Sequence, residues 1–188
     1  MLPGLVIILI FIALLIVDQS SKLISGYEYV DRHAAPLKAK VLPVPQVYRD
    51  ILQKYFKYYQ ALSPTDKAKF ERKVALFVYG KQFIPRQIAE VTIEAKVLIA
   101  ACAVQLTFGL SEFPIRHFNK ILVYPNGYYS RISKRYHKGE VNPRFGIIVL
   151  SWQSFVEGYV YPDDSFNVGL HEMAHAIRLE AIVRGACR

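Results

Sequence analysis

The chain has 188 residues, enough for one domain with a substantial core, and 53% of them are hydrophobic. Its two cysteines form no Cys-x-x-Cys pair, which argues against both a disulfide scaffold and a thiolate metal site. The net charge of +9 is spread along the chain with no recognised nucleic-acid-binding motif around it, so nucleic acid is not an expected partner.

Leu2 to Val17, "LPGLVIILIFIALLIV", carries no charge over 16 residues. As a helix it would span about 24 Å, short of the ~30 Å hydrocarbon core but sufficient once polar flanks are drawn in. A cleaved signal peptide would need Lys or Arg before the run and a small-x-small site after it, and neither is present. A core helix is the third alternative, and an unusual one at the very N-terminus. The segment therefore reads as one N-terminal transmembrane helix, with residues 1–22 as a membrane anchor. Lys22, Arg32, Lys38 and Lys40 all follow it, which predicts a single-pass protein whose domain faces the cytoplasm.

Residues 23–45 lack a steady period and carry Pro36, Pro43 and Pro45, the texture of a linker. From residue 46 onward the pattern is that of a folded domain, taken as residues 46–188. Val47, Ile51, Tyr55, Tyr58, Tyr59 and Leu62 predict one helix from Gln46 to Leu62. Ser63-Pro64-Thr65-Asp66 predicts the start of a second, with Ser as cap, Pro in the first position and Asp at the positive helix end. Gly80 or Pro85 should end it. Arg86 to Phe108 predicts the longest helix, apolar nearly all round; its 12-residue apolar core, broken by Gln105, is too short for a second span and points to a buried helix. Within it Cys102 reads as a small core residue.

After Gly109 the texture changes. "ILVYP", Asn126-Gly127 and "YYSRI" predict strand, turn, strand, and Phe145 to Trp152 predicts a further strand. Between them, "RISKRYHKGE" (Arg131 to Glu140) is a basic cluster. A solvated loop is its simpler reading; attraction to an anionic leaflet or an acidic partner is the functional one. Asp163-Asp164-Ser165 offers caps for a last helix. Helices, then a small sheet, then a helix predict an α+β domain, mainly helical.

That last helix carries "NVGLHEMAH", and within it His171-Glu172-x-x-His175. At 100° per residue the two histidines lie about 40° apart and one turn along the axis, so both imidazoles reach one metal. Two neutral imidazoles suit zinc, usually with a carboxylate as third ligand and one position left for water. Glu172 can take a proton from that water and hand it to the leaving amine. With five histidines in the chain, chance would place this pattern in about half a per cent of such sequences. Glu180 is the only carboxylate after the motif, and nine residues past His171 it falls on the opposite side of a regular helix. His137, Glu140, Asp163 and Asp164 remain as upstream candidates, with nothing in the sequence to choose between them.

Several stretches together resemble the Mlc titration factor A family of zinc-dependent peptidases: "LSPTDKAKFERKVALFVYGKQF", "IAACAVQLTFG", "ILVYP", "IIVLSW" and "NVGLHEMAH", in this order from about Gln46 to Glu180. The resemblance implies a gluzincin-like (zincin-like) metallopeptidase domain, Zn2+ as cofactor on His171 and His175, Glu172 as general base, and a peptide or protein substrate. Some members also bind a sugar-regulated transcriptional repressor and show aminopeptidase character, so a repressor is a further implied partner. The family's third zinc ligand is a glutamate tens of residues beyond the second histidine. The resemblance therefore also implies a C-terminally incomplete domain, with a catalytically impaired fragment or a non-catalytic binding protein of the same fold as the alternative.

Overall fold

The structure, a computed structural model, describes residues 44–110, 115–130, 134–160, 167–183 and 185. The predicted anchor, Leu2 to Val17, lies outside them. Among the described residues no helix is long and apolar enough to cross a membrane.

The fold is α+β, as predicted, with helices first and a small mixed sheet after them. Helix α1 spans Gln46–Tyr55 and α2 spans Lys57–Gln60. The sequence predicted one helix here, but Phe56 leaves the helical region at φ −110° and ψ 92° and sinks its ring into the core. Helix α3, Pro64–Gly80, starts where predicted: the Ser63 hydroxyl accepts the Asp66 N–H at 3.2 Å, and Pro64 holds the first turn. Its buried Glu71 takes hydrogen bonds from Tyr59 and Arg49 at 2.6 and 2.8 Å, tying α1, α2 and α3 together.

Strand β1, Gln82–Pro85, follows immediately and was not foreseen. The long helix then begins later than its apolar pattern suggests. Thr92 caps it through the Ala95 N–H, and α4 runs only from Ile93 to Thr107. It packs against α1, α3 and the last helix, and most of its residues are buried, Cys102 completely. That is the position expected of a helix apolar on all sides.

Strands β2 (Lys120–Tyr124), β3 (Tyr128–Ser130), β4 (Arg135–His137), β5 (Gly139–Asn142) and β6 (Ile147–Ser151) complete the sheets. One sheet has the order β1-β2-β6-β5. Its first three strands are parallel and β5 runs antiparallel to β6 at the edge. Strands β3 and β4 form a separate antiparallel ribbon. The predicted strand, turn, strand is found as β2 and β3, but the two strands belong to different sheets and do not pair as a hairpin. A two-residue hairpin turn needs positive φ at its centre, and neither Asn126 nor Gly127 has it. Strand β2 instead spends both edges on β1 and β6.

Helix α5, Trp152–Val160, follows β6 without a gap, and α6 spans Val168–Val183. The cap of α6 is Asn167, whose side-chain oxygen accepts the Leu170 N–H at 3.0 Å. The predicted caps at 163–165 lie outside the described residues. Ile121, Val123, Ile148 and Leu150 point from the sheet into the main core beneath the helices. Leu122, Val149 and Tyr128 form a smaller cluster on the other face.

Candidate metal centre

Helix α6 buries Val168, Gly169, Glu172, Met173, Ala176 and Glu180 along one side, which lies against α4, α5, β5 and β6. Two features let it sit so close. At Gly169 a Cβ would stand 2.5 Å from a Phe155 ring carbon and 3.1 Å from Cys102 Sγ. At Gly139 a Cβ would stand 2.5 Å from Glu172 Cγ and 2.7 Å from its Oε1. The edge strand thus runs its bare backbone along the Glu172 side chain.

Next to this buried side, His171 and His175 are exposed, and their Nε2 atoms meet at 3.0 Å. The rings are edge to face with centroids 4.5 Å apart. Two nitrogens bound to one tetrahedral zinc, at 2.0–2.1 Å each, would be separated by about 3.3 Å. The pair fits that demand to within a few tenths of an ångström, so these two residues suit a shared metal ion.

Glu172 sits beside them with only 8% of its surface exposed. Burial, and then the nearby charge of Glu140, push its carboxyl up to about 7. Glu140 itself projects from β5 and accepts a hydrogen bond from the Tyr128 hydroxyl at 3.3 Å. Burial first, then Glu140, keep that phenol well above the ordinary range, so it remains a donor.

The structure also sorts the remaining sequence candidates. Glu180 does lie away from the histidines, as the helix geometry predicts: it is buried, and both its oxygens accept the His117 backbone N–H, at 3.0 and 2.8 Å. His137 stands across the ribbon from Tyr128, in register with it. Asp163 and Asp164 lie outside the described residues. Among the described residues no third His, Cys, Asp or Glu joins the histidine pair. Two residues escaped the sequence reading. Gly139 carried no local signal, and Tyr128 read only as a strand residue, because their roles arise from β5 and the ribbon folding back on the motif helix.

Comparison with known proteins bears on the family of the chain. The family model of the glucose-regulated metallopeptidase M90 matches residues 30–181. An uncharacterized protein, slr2042, of Synechocystis sp. is 32% identical over 146 residues, which cover 72% of this chain and 53% of that protein. The chain thus spans about half the length of this relative. A metallopeptidase family implies a bound metal and a peptide substrate. With the match covering most of the sequence, the chain belongs to the glucose-regulated metallopeptidase family M90.

Proposed function

We propose that the chain is a zinc-dependent metallopeptidase that hydrolyses peptide bonds, with His171 and His175 as zinc ligands and Glu172 as general base. One observation carries the reading: two imidazole Nε2 atoms 3.0 Å apart, next to a buried carboxyl whose pKa is pushed up to about 7. When bound, zinc would polarise both water and the peptide carbonyl.

The chain's own groups supply the rest. A carboxyl poised near neutrality can both accept the water's proton and pass it to the departing amine. The Gly139 backbone pressed against Glu172 confines that side chain. Strand β5 is the edge of its sheet, and such an edge offers main-chain hydrogen bonds to an extended peptide laid beside it.

Glu172→Gln tests this, because it preserves shape and removes the base. The substituted protein should keep its zinc and lose about 10²–10⁴-fold in kcat on peptide substrates. Equal hydrolysis by parent and variant refutes the assignment. Absence of turnover in both would leave a non-catalytic binding protein of the same fold.

A further inference from the structure

The β3–β4 ribbon presents a surface that the hydrolytic chemistry does not use. Its register sets Tyr129 opposite Tyr136, and the two rings meet edge to face with centroids 5.4 Å apart. Both are exposed, Tyr136 at 80% and Tyr129 at 52%. Tyr128 and Ser130, on the other face, are buried. Lys138 is exposed at the bend that joins β4 to β5, two residues past Tyr136. Lys134, at φ 53°, stands just before β4. Both lysines are exposed, and among the described residues neither forms an ion pair with a carboxylate. From Tyr128 to Lys138 the sequence contains no Asp or Glu at all. The outer face is thus an aromatic pair flanked by two ammonium groups.

The chain runs from this ribbon directly into the candidate site. The Lys138 carbonyl accepts the Ser151 N–H at 2.8 Å, so the chain has already joined the sheet edge there. The next residue, Gly139, is the one pressed against Glu172. Gly139 is the third residue after Tyr136, no more than about 11 Å further along the chain. At the far end of β5 a second aromatic–basic pair is exposed, with Arg144 5.5 Å above the Phe145 ring.

We infer that the β3–β4 ribbon is an accessory substrate-binding surface, which holds an acidic segment of the peptide about three residues from the bond that is cut. The inference rests on the peptidase reading. Carboxylates of the peptide pair with Lys134 and Lys138, and its backbone and alkyl groups lie over Tyr129 and Tyr136. Continuity with β5 favours a peptide over an anionic lipid surface, which the same residues would also attract. Exposed ion pairs are individually weak and screened by salt, so the preference is modest and salt-sensitive.

Fluorescence anisotropy on the full chain carrying Glu172→Gln reads this without turnover. The probes are labelled peptides of equal length, with Asp-Glu or Ser-Ser placed three residues to either side of the central bond. The acidic peptides should bind about fivefold tighter at low salt. That advantage should shrink at raised salt, vanish in Lys134→Ser/Lys138→Ser and weaken in Tyr129→Ser/Tyr136→Ser, with unchanged thermal melting in both variants. Equal affinities, no binding of either peptide, or a preference that survives the lysine changes overturns the inference. So does lysine-dependent sedimentation with phosphatidylserine vesicles in the absence of a peptide preference. Failure of the peptidase reading shows separately, as absent hydrolysis by the parent chain with the binding preference intact.

Discussion

Replacing Gly139 by alanine puts one carbon where the structure has no room for it. The added Cβ would stand 2.5 Å from Glu172 Cγ, 2.7 Å from Oε1 and 2.8 Å from Cδ. Carbon atoms in contact rest about 3.5–4.0 Å apart, so the Glu172 side chain must retreat by about 1 Å. Strand β5 cannot easily yield instead, because Glu140 and its neighbours are held in register with β6 from Gly139↔Leu150 to Asn142↔Ile147. A misplacement of about 1 Å in a catalytic group costs on the order of 10²-fold, or about 2.7 kcal/mol in the activation barrier. Gly139 presses on Glu172 and on neither histidine, so zinc content should not change. Steady-state kinetics on a peptide substrate, with metal analysis on the same preparation, should show kcat reduced about 10²-fold, KM nearly unchanged and zinc retained. A kcat within about threefold of the parent's would refute the reasoning, because Glu172 would then not depend on the bare backbone beside it.

Further outcomes follow from the same contacts. In metal-free protein, Glu172 titrates near 7 when folded against an ordinary 4.5, so the fold favours its protonated form. Its stabilising contribution is complete below about pH 4.5 and is lost as pH rises through about 7. Glu172→Gln mimics the protonated state and should therefore be about 1–3 kcal/mol more stable than the parent at pH 8, with the difference fading in acid; parallel urea titrations check this, and equal pH slopes would contradict it. Glu180→Ala strands the half-buried His117 N–H and opens a cavity where the buried carboxylate stood, which should cost about 2–3 kcal/mol in urea unfolding while leaving zinc affinity unchanged. Ser63→Ala removes the α3 cap and should cost about 1 kcal/mol without touching activity.

What could be read from the sequence was local. Ser63, Pro64 and Asp66 announce a helix start through three adjacent residues, and they form it. The motif histidines are legible for the same reason: a spacing of four on a helix fixes their meeting regardless of the rest of the fold. The exclusion of Glu180 followed from that periodicity too, although its partner, the His117 N–H, lies 63 residues away and could not be foreseen. Non-local features were lost. Asn126-Gly127 does lie between two strands, but which strands pair was not legible: β2 sits between β1 and β6, and its parallel partners are far away in sequence. Strands β1 and β5 are four residues each and too short to show alternation. The break at Phe56 is hidden because Phe itself fits the helical stripe on either side, and only the demand to bury its ring turns the backbone. Glu140 was visible only as one of several carboxylates upstream of the motif, and its place beside Glu172 and Tyr128 depends on the edge strand that the sequence did not reveal.

The central claim, that His171 and His175 jointly hold a catalytic zinc, is tested most directly by zinc analysis of the purified chain beside His171→Ala and His175→Ala. The account predicts one zinc per parent chain and loss of that zinc in both variants, with folding retained. Zinc bound equally by parent and variants, or absent from the well-folded parent under saturating metal, would contradict it.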